Sequence, residues 1–240
     1  MTGLLICTAL AVEARAVRSG LSAEEVRVIR TGMGPRRAAS AAARLPPADA
    51  LAVTGFCGAL DEDLRPGDVL VASEIRFAGR MVPCPSAWAL AEELARAGLS
   101  ARTGPLVTSD HIVTGAERRR LAAEGAAAVD METGPLAGAV PGLPFAALRV
   151  VADIAGAALL RPATIRGGAV AYRVLRRLGP VLARWAAVTS PALPEESVPF
   201  HYPRRCNPDA DTDPPESSHR RLHPPPEAAR TGEVPPAGGT

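Results

Sequence analysis

The sequence predicts an α/β protein, a sandwich of helices around a largely continuous sheet, and three observations predict it. Short apolar runs alternate with helix-like stretches over residues 1–188. Glycine and proline punctuation falls between those runs rather than inside them. The chain is 240 residues long, 47% hydrophobic and 22% charged, and residues 1–188 suffice for one full core with no room for a second.

Each element follows in order. Leu4-Leu-Ile-Cys-Thr-Ala reads as a buried strand and Val26-Arg-Val-Ile-Arg as a second. Pro35 to Leu45, rich in Ala and Arg, reads as a helix opened by a glycine turn. Ala50-Leu-Ala-Val-Thr is a third strand, ending in a tight glycine turn at Gly55-Phe-Cys-Gly58. Pro66-Gly67 signals a turn before the strand Asp68-Val-Leu-Val-Ala. Ser86 to Ala97 is a helix with Ser86 as its cap, and Ala116 to Glu124 and Glu132 to Val140 are helices as well. Thr103 to Thr108 and Phe145 to Val151 complete the strands, and a last helix reaches about residue 188.

Composition excludes several functions. All 27 basic residues are arginine, which reads as codon bias, and the net charge of +2 gives no broad field for nucleic acid. The four scattered cysteines (Cys7, Cys57, Cys84, Cys206) form neither a disulfide framework nor a zinc pattern, consistent with a cytoplasmic protein. No stretch reads as a secretory signal, and no run approaches the ~18 apolar residues of a membrane span. Half of the 24 prolines lie at position 191 or later, in a stretch with few apolar residues and no periodicity. Residues 189–240 therefore read as a disordered Pro/Arg-rich tail whose removal should leave activity and melting temperature nearly intact. His219 and His223 have a helical metal-site spacing, but the flanking prolines disfavour that helix, so no metal is expected.

Binding groups of such folds gather beyond strand ends, and five clusters sit there. Glu13 follows the first strand, where it also suits the first turn of a helix. Thr31-Gly-Met-Gly34 and Thr54-Gly-Phe-Cys-Gly58 are glycine turns, which by themselves only accommodate positive φ. Val129-Asp-Met-Glu132 places two acids around a methionine, and Asp153 follows an apolar strand, where it could equally cap a helix.

Taken in order, these segments resemble the purine nucleoside phosphorylase and nucleosidase superfamily, and its methylthioadenosine/S-adenosylhomocysteine nucleosidase branch in particular. The resemblance rests on six anchors over residues 1 to about 155: Ala9-Leu-Ala-Val-Glu13, Thr31-Gly-Met-Gly-Pro35, Thr54-Gly-Phe-Cys-Gly-Ala59, Gly67-Asp-Val69, Asp130-Met-Glu132 and Ala152-Asp153. It implies a three-layer α/β/α sandwich with a central mixed sheet. It also implies roles. Asp153 would hydrogen-bond purine N7 and protonate the leaving base, and Glu132 would bind the ribose hydroxyls with Met131 packed on the sugar. Glu13 would orient or deprotonate the attacking water, and the turn Ser109-Asp110-His111 before Ile112 would hold the base. Phe56 and Gly32, in the two glycine turns, join His111 and Ile112 as expected substrate contacts. An oxocarbenium-like transition state explains the carboxylates, and a neutral leaving base explains the acid.

The sequence departs from the branch at three places. Phe56 and Ala152 replace serines, and Asp130 replaces a glutamate, which points to a more apolar pocket with its three central acids retained. Glu13 favours water as nucleophile, while Arg15, Arg36, Arg37 and Arg149 are the candidates for binding phosphate as a co-substrate. The opening Thr8-Ala-Leu-Ala-Val-Glu-Ala-Arg and Thr31-Gly-Met-Gly-Pro-Arg-Arg-Ala look most like the hopanoid-associated branch, which removes adenine from adenosylhopane. Methylthioadenosine/S-adenosylhomocysteine nucleosidase, futalosine hydrolase and a non-catalytic nucleoside-binding domain are the alternatives. The family also implies a homodimer. Val170, Val174, Leu175, Leu178, Val181, Leu182 and Trp185 form an apolar stripe edged by Arg173, Arg176, Arg177 and Arg184. That stripe suits either the last core helix or a peripheral membrane contact, and Pro180 is expected to interrupt it.

Overall fold

The fold is seen in a computed structural model that describes residues 3–21, 26–153 and 162–189, with only the backbone of residues 153 and 162–166. The readings made of residues 190–240, including the tail and the His219/His223 spacing, lie outside the described residues.

Every side chain of strand β1 (Leu4–Thr8) is buried, as expected of a strand covered on both faces. It lies between β2 (Val26–Arg30) and β3 (Ala50–Ala59), parallel to both. Parallel neighbours need crossovers, and helices α1 (Ala11–Ser19) and α2 (Pro35–Ala42) lie within them. β3 is twice the length of β1, and its outer half finds other partners. It runs parallel to β8 (Phe145–Asp153) and, at Gly58 and Ala59, antiparallel to the short β7 (Ala128–Asp130). β8 also pairs antiparallel with β4 (Val69–Phe77), which runs parallel to β6 (Ala101–Thr108), and β6 runs parallel to β7. The mixed sheet therefore closes a five-stranded ring, β3-β8-β4-β6-β7, with β1 and β2 extending from it and β5 (Arg80–Pro83) on the outer edge of β4.

Two expectations are corrected here. Gly55-Phe-Cys-Gly58 is no turn: it is continuous strand, because β8 keeps pairing through it and β7 takes over the other edge at Gly58. Pro180 does not interrupt α6 (Pro162–Thr189), which runs through it. Proline removes the amide that would bond the Arg176 carbonyl. That carbonyl faces Gly20 at the end of α1, so closely that any Cβ there would collide with it. One turn on, a Cβ at Gly179 would stand 2.8 Å from the Val17 carbonyl. Glycines on both helices let them touch at the weakened turn.

Helix α3 (Ala87–Arg96) begins where the sequence places it, but Ser86 caps with its carbonyl rather than its side chain. α3 and α1 pack on α6, whose Leu175, Leu178, Val181, Leu182 and Trp185 are fully buried. Most of the apolar stripe of α6 is thus core, while Val170 at its start stays 40% exposed. α2 packs on α5 (Thr133–Ala137), and α4 (Gly115–Ala123) covers a separate apolar cluster of Leu60, Val113, Leu121, Ala126 and Val129. No helix among the described residues is long and apolar enough to cross a membrane.

Candidate active site

The ends of β1, β3, β7 and β8 converge on a cleft of about 310 Å³. Its lining includes Leu10, Glu13, Met33, Phe56, Cys57, Gly58, His111, Ile112, Val113, Arg118, Met131, Glu132 and Ala152. Six residues singled out from the sequence, Glu13, Phe56, His111, Ile112, Met131 and Glu132, therefore meet around one space. Gly32 does not join them. It lies in a neighbouring hollow of about 530 Å³ with Arg30 and Arg37, while the next residue of its loop, Met33, borders both spaces. Asp153 ends β8, in register with Gly58 and directly after Ala152 of the cleft wall.

Glu13 stands in the first turn of α1 and is 2% exposed. Its Oε2 accepts the amides of Ala9 (3.0 Å) and Leu10 (2.8 Å), and its Oε1 accepts the amide of Phe56 (2.8 Å). Phe56 thus contributes a polar contact through its backbone, where its side chain has none to give. The arrangement needs Gly55: a Cβ there would lie 2.6 Å from Glu13 Oε1 and 2.8 Å from Arg149 Nη1. Each carboxylate oxygen has two acceptor positions, so Oε1 keeps one after Phe56 is satisfied.

Glu132 follows β7 and reaches across to α2, where its Oε1 accepts the Gly34 amide at 2.8 Å. Between the two glutamates lies Arg149, 1% exposed, in mid-β8. Its Nη2 binds Asp130 Oδ2, donates to Thr133 Oγ1 at 2.7 Å and lies 3.8 Å from Glu132 Oε2. Asp130 is further held by Thr108 Oγ1 (2.6 Å) and by the amide and hydroxyl of Thr133. Burial disfavours the charged guanidinium, yet Asp130, Glu132 and Glu13 outweigh it and keep Arg149 protonated. The Glu132 carboxyl is pushed above its ordinary value by burial, against the opposing pull of Arg149 and the Gly34 amide. Burial also pushes the Cys57 thiol up to about 12, so the cleft presents a neutral sulfur and no thiolate.

The mouth is different. Met33 is 57% and Ile112 68% exposed at its rim. His111 bonds Asp110 Oδ1 and Glu117 Oε2, both at 2.7 Å, and these contacts raise its pKa, Asp110 first. The larger hollow beside it, about 700 Å³, lies under the β4–β5 hairpin and shares only His111 with the cleft. Volume alone would select it, but it holds none of the buried carboxylates.

Arg149 was legible only as a candidate for binding phosphate. The structure instead gives it the role of buried counter-ion, and it does not line the cleft. A lone charge inside the apolar run Phe145-Ala-Ala-Leu-Arg-Val-Val was the signal for this. Arg118, 8% exposed in the cleft wall, carried no comparable signal.

The comparisons with known proteins agree with this fold. The chain superposes on a 5′-methylthioadenosine/S-adenosylhomocysteine nucleosidase from Colwellia psychrerythraea 34H, solved in complex with adenine. The identity is 23% and the TM-score 0.64, over 78% of this chain and 95% of that one. The Campylobacter jejuni nucleosidase of the same name gives 16% and 0.65 over 77% and 100%, and a futalosine hydrolase mutant of Helicobacter pylori strain 26695 gives 17% and 0.63 over 78% and 100%. At such identities the likeness is one of fold. The sequence pattern that defines the phosphorylase superfamily matches residues 11–183, most of the chain and every element from α1 into α6, and the protein belongs to that superfamily.

Proposed function

We propose that this member of the phosphorylase superfamily is an N-glycosidic-bond-cleaving enzyme that releases adenine from a nucleoside, with water as the attacking group and adenosylhopane as the substrate. The observation that carries the reading is the meeting of Glu13 and Glu132, distant in sequence and both buried, on one cleft. The relatives in fold include a nucleosidase solved with adenine, which supports the same base.

In this reading the ribose lies against Met131, and its hydroxyls donate to Glu132. The C1′–N9 bond breaks and its electron pair goes to the purine. Asp153 delivers a proton to N7, so that the base leaves neutral. The oxygen of water bonds C1′, and Glu13 accepts its proton through the free position on Oε1. The buried carboxylates stabilise the developing sugar cation. Water is favoured over phosphate because none of Arg15, Arg36, Arg37 and Arg149 lines the cleft. A lipid-linked substrate is favoured by the rim, where Met33 and Ile112 present apolar surface to solvent on the way out of the cleft.

The purified protein is incubated with adenosylhopane, methylthioadenosine or futalosine, with and without phosphate, and free base is measured. We expect adenine from adenosylhopane at a rate independent of phosphate. Faster release from methylthioadenosine or futalosine replaces the lipid substrate, and phosphate dependence replaces water. Binding without any cleavage makes the protein a nucleoside-binding domain. Asp153→Asn is expected to lower base release by about 10²–10⁴-fold with an unchanged melting temperature; an unchanged rate removes Asp153 from the mechanism.

A further inference from the structure

We infer that Arg118 is the charged group that meets the departing base, an inference that rests on the nucleosidase reading above. Arg118 projects from α4 into the cleft wall beside Cys57, Gly58 and Val113. Its guanidinium is tied to the Ala59 carbonyl at the end of β3. Nη1 and Nη2 lie 3.6 and 4.0 Å from where a Cβ on Gly58 would stand, with Val129 Cγ1 at 3.5 Å, so the guanidinium packs close to the strand where Gly58 has no side chain. The Cys57 thiol feels that charge.

Position along β3 assigns the role. Glu13 is bound at Phe56 and Arg118 at Ala59, three residues apart, or about 10 Å at the rise of a strand. That is the reach from a ribose to the far side of its base. With Glu13 and Glu132 at the sugar end, the base lies at the Arg118 end, where Gly58 stands in register with Asp153. Ala152 offers no hydroxyl there, and the Arg118 guanidinium, with five N–H groups, brings a charged donor to this wall.

The chemistry needs such a donor. As the C1′–N9 bond breaks, its electron pair spreads over the purine ring nitrogens before and during proton transfer to N7. A fixed cation in a poorly hydrated site stabilises that charge and needs no reorganisation to do so. Arg118 transfers no proton; it donates a charge-assisted hydrogen bond to an acceptor atom of the base, and binding of the free base uses the same contact.

The test uses the full chain with Arg118→Met and Arg118→Lys, and Arg118→Gln if the Met variant does not fold. Calorimetry reads the affinity for free adenine, and single-turnover assays read base release from the best nucleoside. The neutral variant should bind adenine about tenfold or more weakly and release base about 10²-fold more slowly, with Lys recovering part of both. Adenine affinity within twofold of wild type in a folded neutral variant overturns the inference and leaves the nucleosidase reading standing. A Lys variant no better than the neutral one, with both melting early, makes Arg118 a structural residue and also overturns it. A wild-type protein that neither binds adenine nor releases base sinks both.

Discussion

The cleft is bordered by two carboxylate clusters, each built around a basic side chain. In the interior, Glu13, Asp130 and Glu132 surround Arg149, and none of the four is more than 6% exposed. At the mouth, Asp110 and Glu117 hold His111, with side-chain exposures of 78%, 35% and 55%. Contact distances overlap, yet the physics differs. Water screens the outer cluster, so its ion pairs contribute little to stability. The inner cluster has no such screening, and removing one member leaves the others charged in a poor solvent. The inner cluster can therefore fix the positions of reacting groups, whereas the outer one can rearrange as a ligand enters.

Removing the inner cation gives the largest contrast. Arg149→Met should destabilise the protein by about 3–5 kcal/mol, read as the urea midpoint, because Asp130 loses its buried partner. A loss no larger than that of a surface pair erases the distinction between the clusters. Gly55→Ala comes next. It places a methyl against Glu13 and Arg149 at a backbone φ of +156°, and should cost about 1–3 kcal/mol together with most of the base release. Activity like the wild type would mean that the Glu13 carboxylate moves freely.

Glu132→Gln sharpens the comparison through pH. Burial holds the native Glu132 carboxyl above its value of 4.5, so the native state takes up this proton more readily than the unfolded chain. Its contribution to stability is therefore favourable on the acid side and is lost as pH rises through the native pKa. Ribose hydroxyls need the carboxylate, so kcat/KM should fall on acidification at a pH above the ordinary glutamate range. The Gln variant should lose that limb, with KM raised about tenfold and stability at pH 7 within about 1 kcal/mol of wild type. An acid limb that persists in the variant belongs to another group. The smallest effect is expected from His111→Ala, with an unchanged urea midpoint and KM shifted by less than about threefold at neutral pH. A large fall in the midpoint would show that the mouth is as structural as the interior.

Much of this was legible in the sequence, and unevenly so. The strands β1, β2 and β8, rich in apolar residues, and the helix α3 fall where their patterns place them. The three-residue β7 and the four-residue edge strand β5 are too short to carry a periodicity. Gly55 to Gly58 misleads because glycine marks both turns and strands that other groups must approach closely, and here the second applies. Glu13 and Glu132 were recognisable from their places in ordered anchors. Arg149 was marked only by its place inside an apolar run, and Arg118 by nothing, because an arginine in a sequence without lysine looks like any other until burial singles it out.

The sequence by itself determined the α/β class, the stripe of α6 and the set of acids at strand ends, because hydrophobic period and glycine punctuation are local properties of a chain. Tertiary structure alone decided that the sheet closes a ring through β8, that most of the stripe is core, and that Arg149 stands between carboxylates from β7 and α1. Those outcomes depend on which surfaces exclude water from which charges. Desolvation is a property of the whole packed molecule, and no window of sequence contains it.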